Sequence, residues 1–258
     1  METGAHSLDW QARTEFAPLS QHWAYGLTME RLGARVRRFV VDDHSVQTVE
    51  RRGVRLIHQA PIGVDLAPLG RFPGVVLAVS LNRGRGCIPL LTERFHAVWQ
   101  IDRSKGALLA AMRPTWRHAL QHASADAIED PSALQIILAA AAKTMAARGV
   151  RGVPTAFAEH WAGQSLVLRT GARPDAGAVF LIHGDCATYH AAWAGPQGRA
   201  LGASRALLWK GAELLWNRGV RRIDLGAVDA SNPGLAHFKL GTGAGLVSLG
   251  PLSLVLPL

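Results

Sequence analysis

Lys239 stands directly behind Phe238 and just ahead of Gly241, Gly243 and Gly245, near the end of the stretch GVRRIDLGAVDASNPGLAHFKLGTGAG at 219–245. Glycines let a backbone approach a ligand closely, so a lone ammonium among them is a cation with somewhere to act. The competing reading is a lysine snorkelling from a loop whose glycines only make turns. Upstream, Arg199, Gly202, Ala203 and Ser204 fit the pattern R-x-x-G-x-S. A glycine-bearing loop that opens a helix presents free N–H groups and the positive end of the helix dipole, which together bind phosphate. An ordinary capped helix start would look the same.

Asp224 lies between Ile223 and Leu225 in an apolar run. A carboxylate buried there must be paired or hydrogen-bonded. A structural pair with an arginine and a role beside Lys239, as base or orienter, are both open. Tyr189 and His190 are strand neighbours, so only one of them can point at a given face. His190 has the near-neutral titration suited to a general base, and equally suits a partly buried place in a sheet.

Other chemistries lack their signatures. His183, Asp185, Cys186 and His190 cluster in sequence but straddle a hairpin turn without the spacing of a zinc motif, so no metal site is expected. There is no G-x-S-x-G elbow, and neither Cys87 nor Cys186 has nucleophile context, so direct transfer without a covalent enzyme intermediate is expected. Two distant cysteines form no disulfide framework and fit a reducing cytoplasm.

The chain has 28 Lys and Arg against 19 Asp and Glu, a formal charge of +9. That excess favours polyanions such as nucleic acid, phosphorylated cofactors or an anionic membrane surface. The arginines are dispersed, among them Arg37 and Arg38, Arg83 and Arg85, and Arg221 and Arg222, so a basic surface must be assembled by folding. A solvated arginine-rich surface is the bland alternative. With 48% hydrophobic and 18% charged residues the composition is globular. No apolar run reaches the ~20 residues of a membrane span, and METGAHSLDWQ lacks a basic-then-apolar signal pattern. A cytoplasmic protein is expected, with a monomer favoured.

These residues need elements to hold them. Asp130, Pro131 and Ser132 read as a helix start, followed by the stripe Leu134, Ile137, Leu138, Ala141 and Met145 up to Gly149. Short strands are expected at 165–169, 178–183 and 187–193, with Gly184 and Asp185 as a hairpin turn. The segment 195–204 (GPQGRALGAS) reads as a loop opening a helix that stops at Gly219, followed by the strand RRIDLGAV. RLGARVRRFVV, ARGVRGVPTAF and NRGVRRIDLGA each read as a helix end running into a strand, the mark of a duplicated α/β domain. A boundary falls before Asp130, giving halves 1–129 and 130–258.

The order strand, hairpin, strand, glycine loop, helix and strand resembles the GNAT acyltransferase fold. LLWKGAELLWNRGVRRIDLGAV followed by GLAHFKLGTGAG resembles the FemAB-like branch, with its helix ending in R-G, a strand with D-x-G, then F-K and a glycine. PTWRHALQHA is similar to the W-R-x-x-L-x-x-A element of those proteins, and FAPLSQHWAYGLTMERLGARVRRFVVDD resembles their opening helix and first strand. The resemblance implies an α/β (α+β) chain of tandem GNAT-like domains, with mixed, mostly antiparallel sheets flanked by helices. It implies amide-bond formation from an aminoacyl-tRNA, or an acyl-CoA in related proteins, to a small-molecule or peptide amine, with no tightly bound cofactor. Lys239 matches the lysine expected at the reacting end, with Phe238 packed beneath it. A fixed cation at a carbonyl oxygen that gathers negative charge lowers the barrier to amine attack by several kcal/mol. Arg117 matches the arginine of W-R-x-x-L and suits a phosphate clamp, whereas Trp116 suits the core. The other readings of such a chain are a non-catalytic nucleic-acid or ligand-binding module, and a subunit whose basic face docks an acidic partner.

Overall fold

The computed structural model describes residues 8–82, 84, 86–150, 152–171 and 175–257; Arg83 and Arg85 lie outside the described residues. The chain divides into two compact units, 1–96 with 247–258, and 97–246.

Unit 1 contains α1 (Leu8–Thr14), α2 (Trp23–Arg31), β1 (Arg35–Val41), β2 (His44–Arg51), β3 (Val54–Ile57), α3 (Ala67–Gly70), β4 (Val75–Val79) and β5 (Cys87–Pro89). Its hairpins turn tightly because Asp42, Asp43, Arg52 and Gly53 all take positive φ, the backbone twist that two-residue hairpins need. Six strands form its sheet in the order β1-β2-β3-β4-β13-β5, where β13 (Leu252–Val255) returns from the end of the chain to pair with β4. Phe39, Val46, Ile57, Leu66, Leu69, Val76 and Val255 make the core.

β6 (Arg94–Gln100) leads into unit 2, which continues through α4 (Lys105–Ala111), α5 (Pro114–Gln121), β7 (Ala127–Glu129), α6 (Leu134–Ala147), α7 (Thr155–Glu159), β8 (Ser165–Thr170), β9 (Ala176–His183) and β10 (Cys186–Ala194). There follow α8 (Pro196–Ala200), α9 (Ala203–Asn217), β11 (Arg222–Ala227), α10 (Pro233–Leu240) and β12 (Gly245–Gly250). The sheet order is β12-β6-β11-β10-β9-β8-β7. Both sheets are mixed and mostly antiparallel, flanked by helices, as the resemblance implies.

The division at 96/97 differs from the 129/130 boundary read from the sequence. Trp99, Ile101, Leu108, Met112 and Trp116, all before residue 129, bury into one core with Phe180, Leu207, Leu208 and Ile223. That shared core ties α4 and α5 to the second unit. The segment ARGVRGVPTAF also departs from its reading: α6 ends, Gly149 takes φ +68, and α7 follows with no strand among the described residues between them.

Two faces of the second sheet are covered differently. Ala178, Phe180, Ala187, Ile223 and Leu225 point to α9, with Leu207, Leu208, Ala212 and Leu215 above them. On the other face lie α6 and α7; a side chain at Gly177 would collide with Ile137 of α6.

Candidate functional site

β10 and β11 run parallel, but pair only through Cys186↔Arg222, Ala187↔Ile223 and Thr188↔Asp224. β10 continues to Ala194 and β11 to Ala227, and a bulge between Tyr189 and Ala191 bends β10 where the pairing ends. A bulge leaves one residue outside the ladder and turns the strand. The two strands therefore part just beyond Thr188 and Asp224.

Lys239 lies beside the end of β11, past this parting. It does not sit in a glycine turn, as the sequence suggested, but in the last turn of α10. Asn232 caps that helix by accepting the Leu235 N–H at 3.2 Å, and Pro233 occupies its first turn. Lys239 is 7% exposed, and its Nζ donates to the Ala227 carbonyl at 2.7 Å. An ammonium has three donors, so one is committed and two remain. Burial lowers the Lys239 pKa from the ordinary lysine value, and the Asp224 carboxylate acts against that by raising it.

Asp224 faces away from the α9 core, since its neighbours Ile223 and Leu225 take that side. Its Oδ1 accepts the N–H of Gly226 at 2.7 Å. Gly226 takes φ +78, and a Cβ there would lie 3.6 Å from Lys239 Nζ. The arginine of this strand, Arg222, pairs with Asp185 at 2.9 Å. Gly226 and the Ala227 carbonyl were not singled out from the sequence, although Gly226 is the glycine of the D-x-G pattern.

Tyr189 and His190 point to opposite sides, as alternation requires. Tyr189 packs on Phe180 with ring centroids 5.3 Å apart, on the α9 side, and burial raises its pKa. His190 faces Phe157 of α7 at 5.6 Å, and burial lowers its pKa to about 4, so the imidazole is neutral near pH 7. Burial likewise pushes the Cys186 thiol up to about 12, far from a thiolate nucleophile.

Trp116 is core, and its indole Nε1 donates to the Phe238 carbonyl at 3.0 Å. The two rings lie 6.1 Å apart, so α5 holds α10 by one ring contact and one hydrogen bond. Gly241 packs on Trp116 and Gly243 on the Ala111 backbone, so these glycines serve close packing of α10 against α4 and α5. Arg117 donates to the Leu109 carbonyl at 3.2 Å, bracing α4.

The loop expected at 195–204 is mostly helical, because Pro196 starts the short α8. Asp175 accepts the Gly198 N–H through its carboxylate, and Arg199 donates to the Ala194 carbonyl at 2.6 Å. Gly202 caps α9 with φ +69, and a Cβ there would stand 3.1 Å from that of Ala123. Ala203 is fully buried and Ser204 lies in the first turn of α9. Arg199, Gly202, Ala203 and Ser204 thus remain together at the α8–α9 junction, with a carboxylate already on the first of its helices.

No curated protein is significantly similar in sequence. Residues 117–240 match the family described as acetyltransferase (GNAT) domain. Among solved structures, FemX aligns with a TM-score of 0.76 at 11% identity, over 99% of this chain and 97% of FemX. The C-terminal domain of a candidate lysylphosphatidylglycerol synthetase from Agrobacterium fabrum aligns with a TM-score of 0.61 at 13% identity, over 96% of this chain and 91% of that one. L-PGS from Bacillus licheniformis aligns with a TM-score of 0.56 at 12% identity, over 98% and 92%. No helix among the described residues is long and apolar enough to cross a membrane. The chain thus has the fold that FemX and L-PGS share, and its residues 117–240 are similar to the acetyltransferase (GNAT) domain family.

Proposed function

We propose that the chain is an acyltransferase that forms an amide bond by direct attack of an amine on an activated aminoacyl group, carried by tRNA. The carrying observation is the buried Lys239 ammonium, fixed to the Ala227 carbonyl beside Asp224 where β10 and β11 part. In the reaction the amine nitrogen bonds to the ester carbonyl carbon and the carbonyl oxygen gathers negative charge. The bond to the tRNA oxygen then breaks, and the amine proton ends on that leaving oxygen. Lys239 stabilises the charged oxygen, an effect worth several kcal/mol in a water-poor site. Asp224 keeps the ammonium charged and turned into the gap. His190, neutral at pH 7, accepts a hydrogen bond from the incoming amine.

The donor lies at the α8–α9 junction with Arg199, Gly202, Ala203 and Ser204. Phe238, Trp116 and Arg117 hold the reacting end from α5 and α10, and Tyr189 lines the donor side of β10. Two features favour tRNA over a coenzyme. The positive charge of +9 suits a long polyanion. The Asp175 carboxylate on the Gly198 N–H also occupies part of the backbone that a pyrophosphate needs. The match of residues 117–240 to an acetyltransferase domain favours the second reading, an acyl-CoA donor.

Competition between mixed aminoacyl-tRNA and acetyl-CoA for the purified protein, at low and moderate salt, separates the readings. Selective retention of aminoacyl-tRNA is expected. Preference for acetyl-CoA assigns the site to acyl-CoA chemistry, and binding of neither removes the donor assignment.

A further inference from the structure

On the α6 face of the sheet, beside the parting of β10 and β11, lies a cleft of about 560 Å³. That size falls within the ~300–1,000 Å³ range of small-molecule sites. Leu138, Ala142 and Met145 of α6 form one wall, Val150 and Val153 form the lip, and His190 stands at the bulge of β10. Among the described residues, the side chains lining the cleft apart from Thr155 and His190 are hydrocarbon, thioether or proline.

Its position limits its occupant. The donor junction lies at the start of α9, whose Leu207 and Leu208 cover the opposite face, where Tyr189 points. His190 is only two residues past Thr188, the last residue paired to β11, and Thr188 is the partner of Asp224. Asp224 shares the face of His190, away from Ile223 and Leu225. A molecule in the cleft therefore meets β10 at His190 and Ala191, on the face opposite α9, with its polar end at His190 and its remainder among apolar side chains.

We propose that this cleft binds the acceptor, and that the acceptor is an amine bearing an apolar substituent of several carbons. The proposal rests on the functional reading above, because it takes the α8–α9 side for the donor. A strongly polar acceptor would leave its hydrogen-bonding groups unmet against Leu138, Met145 and Val153, which disfavours its burial there. An alkyl or aryl group would release water from both surfaces. His190 gives the amine an acceptor nitrogen without adding a positive charge to the site.

The test is calorimetric titration of the full chain with n-butylamine, n-hexylamine and n-octylamine, in the wild type, Ala142→Trp, Ala146→Trp and Lys239→Ala. Ala142 and Ala146 are exposed on α6, so an indole fills the cleft from its rim without entering the core. Affinity is expected to rise by up to about fourfold per added methylene. The two tryptophan variants should lose at least about tenfold for octylamine, while Lys239→Ala binds it like the wild type. Affinity independent of chain length, or octylamine binding unchanged in both tryptophan variants, overturns the proposal. Failure of the catalytic reading shows separately, as turnover that survives Lys239→Ala while the chain-length series persists.

Discussion

Each unit contains a parallel strand pair, β3–β4 in unit 1 and β10–β11 in unit 2, and these two pairs have different fates. In unit 1, β3 pairs with β4 along its whole length, from Val54↔Val75 to Ile57↔Ala78, and the connection holds only the four-residue α3. In unit 2, β10 pairs with β11 for three residues and then parts from it, and the connection holds α8 and the 15-residue α9. A fully paired ladder satisfies its own backbone and leaves nothing for a ligand. A parted one leaves backbone groups beside a gap, here faced by Lys239 and Asp224. The same kind of pairing is thus complete in one unit and, in the other, opens at the place proposed as the site.

That contrast is breakable by core substitution. Ile57→Ala in unit 1 and Phe180→Ala in unit 2 each remove fully buried side chains, with expected costs of about 2–5 kcal/mol and 3–5 kcal/mol by chemical denaturation. Only the second should also impair turnover at temperatures where both proteins remain folded, because Phe180 packs beneath Tyr189 on the strand that parts. Equal losses of turnover would erase the distinction between the units.

Acid sharpens it next. Burial lowers both His22, in unit 1, and His190, in unit 2, from 6.5 to about 4. Between those values the unfolded chain binds the protons that the folded chain refuses, so stability falls as pH drops from 6.5 towards 4. Each shift is worth at most about 3 kcal/mol. His22 has a further reason to stay neutral, since its ring nitrogen accepts the Ala24 N–H at the start of α2. His22→Asn preserves a capping acceptor and should flatten the acid decline measured by urea unfolding at pH 4.5 and 7. An unchanged slope would remove His22 from the account.

Asp224→Asn should act on the pH profile more than on the fold. Lys239 must stay charged to stabilise an oxyanion, so activity falls as pH rises through its lowered pKa. Asp224 raises that pKa, and removing its charge therefore moves the alkaline fall to lower pH. A profile that does not move leaves Asp224 a purely structural residue on the Gly226 N–H. The smallest effect belongs to the surface: Arg218 donates to Glu129 at 2.7 Å on partly exposed ground. Arg218→Ala should cost about 0.2–1 kcal/mol, less at high salt, with turnover unchanged.

Local signals in the sequence foretold much of this. Asp130 accepts the Ser132 N–H at 2.9 Å ahead of α6, Gly184 turns the β9–β10 hairpin with φ +62, and Gly219 ends α9 with φ +84. Those outcomes depend on a few adjacent residues. Asn232 and Pro233 carry an equally local signal for the start of α10, but the glycines after Lys239 carry the competing signal of a turn. What had no local signal depends on distance along the chain. Trp116 meets Phe238 across 122 residues, Asp175 meets Gly198 across 23, and β13 returns from the chain end to β4. Tertiary packing decides such contacts, including the core that draws α4 and α5 into unit 2. Lys239 and Asp224 were legible as chemical groups; the parting of β10 from β11 that gives them a task was not.

The most direct measurement is single-turnover amide formation by Lys239→Ala beside the wild type, with donor binding measured on the same samples. The account predicts a rate lower by roughly a hundredfold to a thousandfold, with donor affinity and thermal unfolding close to wild type. A variant that forms amide within about threefold of the wild-type rate, a barrier change under ~1 kcal/mol, would contradict a catalytic cation at the parted strands.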